Sequence, residues 1–497
     1  MKKRIKFLCW MCFGLLACIL IFTACNNSKQ EEKVSENTEH IFEESTDIVE
    51  EHIEETTVAH TEKPSGKPTE EKPVKVEKEE ESGVVKTDSN GLKFRLNDEK
   101  SAYIFVGCDS ENVKKDIVIP NTFEGLPVTE IRDSSWYSVV PKTINSISLQ
   151  NCLERIGKYA FAGCESLTEI KIPDSVVYIG KGAFRDCSSL KSVTLSSNIA
   201  RIEEDTFDSC VSLESVLMPE GVTFIGDSAF HNCGIKSLIL SKSLIEIEAD
   251  AFAYCTQLKN VVFPNGIKKI GQRAFSKTSL ESIVIPSSVE VIEYGCFDSQ
   301  MKECIIGDGT LDETTSLSVS DDWLFVCAES VVVQRNNVEL YASVSAIDEV
   351  PLKTLTVRGN NIRIRGGAFD DAENLETVIL EANITEIGAW AFEGILSLDK
   401  LIISGNVQKI GYGAFEETGI KTVILSGTIE VMEKNVFTLH KYTDKFTTLT
   451  NIYCDYEYQP SGWENTWANE WKDHMNIYWK GEWTYENGVP TPCYKAN

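Results

Sequence analysis

The stretch LTEIKIPDSVVYIGKGAF (residues 167–184) recurs without gaps as LESVLMPEGVTFIGDSAF (213–230) and LESIVIPSSVEVIEYGCF (280–297). LKTLTVRGNNIRIRGGAF (352–369) and LDKLIISGNVQKIGYGAF (398–415) fall into the same frame. The closing phenylalanine marks the period. It stands at 161, 184, 207, 230, 252, 275 and 297, and again at 369, 392, 415 and 437, always 22 or 23 residues apart within each run. A period of this length, held in one register, specifies a repeat solenoid in which each repeat buries its apolar face on its neighbours.

The interior of one repeat can be read residue by residue. Leu167, Ile170 and Ile172 open it as L-x-x-I-x-I, a short strand whose apolar side chains point inward. Pro173 ends the strand because it cannot donate to a ladder. Val176 and Ile179 form a second apolar pair, Gly180 permits a turn, and Ala183-Phe184 are expected to anchor a short helical turn. Ordering the backbone of such a repeat costs more than burying its handful of apolar side chains returns, so no repeat folds alone.

The elements L-x-x-I-x-I-P, I-G and A-F-x-x-C resemble the leucine-rich repeats of the BspA family, also called the Treponema pallidum type, over about residues 144–437. Ile117 to Pro120 and GLPVTEI (125–131) are similar to that family's first repeat. The resemblance implies a curved solenoid with parallel strands on its concave side and short strands, turns and short helical turns elsewhere. It also implies a role in adhesion or protein binding at a bacterial surface. Within this frame, 91–143 is expected to be an N-terminal cap or first repeat, with repeats at 144–297 and 352–446 and a Trp-rich cap at 447–497. Residues 298–351 span close to three periods without an Ala-Phe anchor, so they are either degenerate repeats or an insertion.

Upstream of the repeats lies an address. Lys2, Lys3, Arg4 and Lys6 precede an uncharged apolar run from Phe7 to Ala24, the pattern of a signal peptide over 1–24. Ile21-Phe22-Thr23-Ala24-Cys25 resembles the bacterial lipobox, which implies acylation of Cys25 and a membrane lipid anchor. Leu15-Leu16-Ala17-Cys18 is a rival box whose use would leave Ile19 to Phe22 exposed, and an uncleaved transmembrane anchor is the other alternative. Cys9-Trp10-Met11-Cys12 has C-x-x-C spacing but lies in the segment to be removed. Residues 26–90 are rich in Glu, Lys, Thr and Ser, with Phe42 as their single aromatic, and are expected to be a disordered acidic tether. As a flexible coil it would span roughly 50 Å.

Charge and motif content exclude other classes. A net charge of −28 leaves nothing to offset phosphate repulsion, so nucleic acid is not an expected partner. The six histidines are scattered outside any metal-ligand spacing, and no nucleophile elbow, P-loop or dinucleotide fingerprint occurs. Neither a cofactor, a metal nor a catalytic residue is therefore expected, and 298–351 is the one segment irregular enough to hide an enzyme site. Cys164, Cys187, Cys210, Cys233 and Cys255 each follow the repeat phenylalanine by three residues. Stacked about 4.8 Å apart they suit buried free thiols better than disulfides, and Thr278, Ala372 and Thr418 show that small size is what the position needs. Cys454 and Cys493 lie outside the row and are left open as a pair.

Two surfaces remain as ligand candidates. The fifth strand position should face outward; it is Lys171 and Thr194 at first, then Leu217, Ile239, Val262, Val284, Ile379, Ile402 and Ile424. The second position is mostly charged, as in Glu214, Lys236, Lys259, Glu281, Glu376 and Lys421. Such an apolar stripe reads either as a binding face for an extracellular protein or as plain β-propensity and packing between strands. The second candidate is Trp463, Trp467, Trp471, Trp479 and Trp483. The first three are four residues apart, as on one helical face. They suit an end cap, or alternatively a site for cell-wall glycan.

Overall fold

The computed structural model describes residues 83–109, 114–297, 301–307, 318–319, 328–340, 352–370, 372–438, 450–468 and 475–493. Cys25, the tether up to residue 82 and Trp471 lie outside the described residues.

Each repeat makes one coil with three sides. The first side is a short strand such as Glu169–Lys171, pairing in parallel with Ser192–Thr194 of the next coil, Ile170 opposite Val193. A second strand such as Tyr178–Ile179 pairs in parallel with Arg155–Ile156 of the coil before. The third side holds the phenylalanine. There Phe161 N–H donates to the Ala183 carbonyl (2.8 Å) and Phe184 N–H to the Thr206 carbonyl (2.9 Å), bonding coil to coil much as a strand would.

This third side is not helical, and no helix is present among the described residues. The short helical turn expected at Ala183-Phe184 is interrupted by left-handed residues two positions before and two positions after the phenylalanine. Tyr159, Gly182 and Asp205 occupy the first place, and Gly163, Asp186 and Ser209 the second. Helical φ/ψ cannot propagate through such residues. Bulky residues are rare in this conformation, and two aromatics hold it by covering a glycine of the next coil. A Cβ on Gly182 would stand 2.3 Å from Cε1 of Tyr159, and one on Gly413 would stand 2.9 Å from Cδ1 of Trp390.

Every inward residue of the repeat is buried: Leu167, Ile170, Ile172, Val176, Ile179, Ala183, Phe184 and Cys187. The phenylalanines form a column from Phe161 to Phe297, with ring centroids 5.2 to 5.6 Å apart. A second column runs from Phe369 to Phe437. Beside the first lies a column of free thiols. Cys187, Cys210, Cys233 and Cys255 each donate S–H to the carbonyl of the phenylalanine one coil back, at 3.1 to 3.2 Å. Burial pushes the Cys255 thiol up to about 12, so it stays protonated and unreactive. Cys454 is buried, Cys493 is exposed, and both are free.

The first-strand ladder also runs through the segment that lacks Ala-Phe anchors. Met301–Ile306 pairs in parallel with Ser282–Ile285 on one side and with Ala328–Gln334 on the other, and Ala328–Gln334 pairs onward with Thr354–Arg358. Arg335, fully buried here, donates from Nη1 to the Val289 carbonyl at 2.9 Å.

Both ends are closed by aromatic residues. At the start, the antiparallel strands Leu92–Leu96 and Tyr103–Cys108 bring Phe94, Tyr103 and Phe105 together with Phe123. At the finish, Trp467 packs edge-on against Phe437 and Trp463 bridges to Met432.

Candidate interaction surface

The outward row of the first strands is the site to build from the backbone up. Register places Leu217 opposite Ile239 and Ile239 opposite Val262. After one break in the ladder, the pairing runs Val284, Ile305, Val332, Thr356, Ile379, Ile402, Ile424, Tyr453 and Tyr478. Ile305 and Val332 are members that the sequence reading missed, because no Ala-Phe anchor fixes the frame of their repeats.

Exposure along this row is uneven. Leu217, Ile239, Val262 and Val284 keep 71%, 64%, 79% and 46% of their surface open to solvent. Ile379 and Ile402 are half-buried. Ile424 is only 2% exposed, which removes it from the expected binding stripe. The neighbours on the same face account for the difference, since strand positions three, five and seven point one way. In the open part, position three is Ser215, Ser237, Asn260 or Ser282, and the strands end before position seven, which is Pro219, Ser241, Pro264 or Pro286. In the covered part, position three is Thr354, Thr377, Lys400 or Thr422, and an Arg358–Glu381 ion pair (2.7 Å) spans position seven beside Thr356 and Ile379. Ile424 lies next to Tyr453, whose ring stacks on Tyr478 at 5.2 Å and meets Trp483 at 5.5 Å.

A row of charges borders the open patch, three lysines and two glutamates that largely offset one another. Lys236 pairs with Glu214 (2.9 Å), and Glu281 lies between Lys259 (3.8 Å) and Lys302 (3.7 Å). These side chains are mostly exposed, so their pairing contributes little to stability. Their effect on the patch is to frame apolar surface without giving it a strong sign. Toward the first repeats the same face turns polar, in a shallow groove lined by Ser148, Glu169, Lys171, Ser192 and Thr194.

The tryptophans divide by role. Trp463 and Trp467 are 3% and 2% exposed, which corrects their standing as candidate glycan platforms: their faces are spent on the core. Trp463 Nε1–H donates to the Ile429 carbonyl (3.0 Å) and Trp467 Nε1–H to Gln459 Oε1 (3.3 Å). Trp463 sits in a β-bridge and Trp467 in a turn, not on one helix. Trp479 and Trp483 are half-buried, the latter pinned by a bond from Nε1–H to the Cys454 carbonyl (3.1 Å).

Among the described residues no group of three His, Cys, Asp or Glu side chains is placed to hold a metal. Among the same residues there is no helix long and apolar enough to cross a membrane. A polar cluster lies on the phenylalanine side: Asp208, buried, accepts from His231 Nδ1 (2.9 Å) and pairs with Arg185 (3.2 Å). It ties three successive coils together.

Solved structures of similar architecture include a leucine-rich repeat protein from Bacteroides ovatus. It is 21% identical, with a TM-score of 0.38, covering 78% of this chain and 98% of that one. A leucine-rich cell surface protein from Faecalibacterium prausnitzii is 21% identical, with a TM-score of 0.37, covering 78% and 97%. The leucine-rich repeat protein of T. pallidum is 24% identical, with a TM-score of 0.26, covering 47% and 90%. No curated protein matches the sequence. The family model for the BspA-type leucine-rich repeat region matches in six copies over residues 129–255, 225–315 and 343–453, more than half of the sequence. With its coils and its columns of phenylalanine in that frame, the chain belongs to the BspA-type leucine-rich-repeat family.

Proposed function

We propose that this protein is a lipid-anchored binding protein of the bacterial cell surface, which holds an extracellular protein on the open apolar patch of its solenoid. One observation supports the reading above others: Leu217, Ile239 and Val262 stand in register and largely bare on one sheet, with the half-exposed Val284 on the next strand beyond a break in the ladder. Surface of this kind is costly to leave in water and favours a partner. The anchor is Cys25 and the partner is a matrix protein or a protein of another cell; the tether is residues 26–82, shorter than the expected 26–90 because Lys86–Thr87 already pairs with Lys93 and Phe94 in the first sheet. Neither part of the reading requires a catalytic residue or a cofactor.

The test is binding of the chain from Asn26 onward to a panel of matrix proteins and cell-wall glycans, alongside its Ile239→Lys/Val262→Lys variant. Both substitutions are at exposed positions, so the variant should still fold, at a cost of about 1 kcal/mol from two lysines set in register on adjacent strands. Saturable protein binding that is lost in the folded variant supports the patch. Binding to glycan alone, unchanged in the variant, refutes it and moves the site to the half-buried Trp479 and Trp483. Labelling of Cys25 by a fatty-acid probe in cells, absent in Cys25→Ser, tests the anchor.

A further inference from the structure

The open patch has a shape that selects among protein partners, and we infer that its occupant is a single amphipathic helix of the partner, lying across the strands. The inference rests on the reading that this patch binds protein. Its first ground is area. The four side chains expose roughly 300–400 Å² of apolar surface, against about 800 Å² per partner in a standard interface. A second copy of this solenoid, or a broad globular face, would need contacts well beyond the patch. A single helix would not.

The second ground is spacing. Leu217, Ile239 and Val262 are direct register partners, so their row runs at right angles to the strands with a step of about 4.8 Å. An apolar stripe on a helix, at i, i+3 or i+4, and i+7, has a mean step of about 5.3 Å. Laid along the row, such a helix falls only about 1.5 Å out of step over three steps. An extended segment presents alternate side chains every ~6.8 Å, and over three steps falls about 6 Å out of step. The row therefore discriminates against a strand laid flat upon it.

The third ground is charge. The charges framing the patch largely offset one another, but the row continues toward the first repeat through Thr194 to Lys171. Lys171 is exposed and makes no close ion pair among the described residues, with the Asp174 carboxylate acting on it only at longer range. It lies two strand steps beyond Leu217, about 10 Å, which is close to seven residues of helix. The helix that fits best places a carboxylate over Lys171 and, seven residues on, begins an apolar stripe four residues deep over Leu217, Ile239, Val262 and Val284.

The test uses the chain from Asn26 onward and a fluorescent, hydrocarbon-stapled helical peptide with Glu seven residues before the first of four stripe leucines. Fluorescence anisotropy should show saturable binding with Kd on the order of 10–100 μM, as suits a small interface. Binding should fall at least tenfold in Ile239→Lys/Val262→Lys and be unchanged in Ile245→Lys, which alters an exposed apolar residue away from this row. Lys171→Glu should weaken binding several-fold, and a peptide with Lys in place of Glu should recover it. That charge exchange does not depend on the double variant remaining folded. Equal binding by a scrambled peptide, or tighter binding by an alternating extended one, overturns the inference. So does a dimer in sedimentation equilibrium that the double variant abolishes, which would make a second copy the occupant. If the helical peptide fails while a panel protein still binds through the row, the patch stands and the helix falls. If no protein binds through the row either, both fall.

Discussion

Phe230 lies at the middle of the longer phenylalanine column, between Phe207 at 5.2 Å and Phe252 at 5.3 Å, with ring planes 11° and 4° from parallel. It is fully buried, and its removal opens a void that two rigid neighbouring coils cannot close. Phe230→Ala should therefore cost about 3–5 kcal/mol. Phe230→Leu keeps most of the volume but loses two stacked faces at about 0.5–1.5 kcal/mol each, so it should cost about 1–3 kcal/mol. In a solenoid each coil touches only its neighbours, so the loss should stay local. Native-state hydrogen exchange is the right assay, because long arrays depart from two-state melting. At about 1.4 kcal/mol per tenfold, 4 kcal/mol is roughly a 700-fold rise in exchange, expected for the amides of Phe207, Phe230 and neighbours in their coils. Amides around Phe392 and Phe415 should not change. A uniform loss along the chain would refute nearest-neighbour coupling, and an equal cost for Leu and Ala would refute the stacking contribution.

Two further outcomes follow from the same packing. The Asp208 carboxylate at Nδ1 raises the His231 pKa above its ordinary value, against the opposing effect of burial. Protonated His231 should thus stabilise the fold fully below its unfolded pKa of about 6.5, with the contribution fading as pH rises through the raised folded value. Urea titrations of wild type and His231→Gln should differ by up to ~1 kcal/mol at pH 5.5 and converge at pH 8.5. A gap that widens with pH would refute the pairing. Trp463→Ala should cost about 3–5 kcal/mol, because it leaves the Ile429 carbonyl without its indole partner and uncovers the last core layer. Exchange should accelerate over 407–454 and not over 161–297; acceleration in both would mean that the end cap stabilises the whole array.

What could be read in advance was whatever repeats. The phenylalanine frame, the inward strand positions and the thiol row are dictated by the core, which presents the same demand every 22 or 23 residues. The left-handed corners were hidden because their demand falls on the backbone, and residues as different as Tyr159, Asp205 and Trp390 meet it. The spacing of Trp463, Trp467 and Trp471 suggested one helical face. In fact Trp467 covers Phe437 and Trp463 packs on Trp467, both from non-helical backbone, because closing the core asks for size rather than for a helix.

The uneven exposure of the outward row shows where single-strand reasoning ends. Fifth-position residues look alike in sequence, since Ile239 and Ile424 occupy the same place in the same motif. What separates them is their surroundings on two adjacent coils: serine and proline around Ile239, but threonine and a tyrosine ring beside Ile424. Those neighbours were visible as letters. Their effect requires the register, because a residue 22 or more positions away becomes the nearest one on the face. The same dependence makes the patch alterable without touching it. Ser215→Thr with Ser237→Thr adds two methyl groups beside Leu217 and Ile239, and should reduce binding by the patch several-fold while leaving stability within about 0.5 kcal/mol. Anisotropy with the striped helical peptide, beside a thermal melt, measures both. If the double threonine variant binds as well as wild type, the bareness given by the serines is not what opens the surface, and the division of the row into open and covered parts loses its cause.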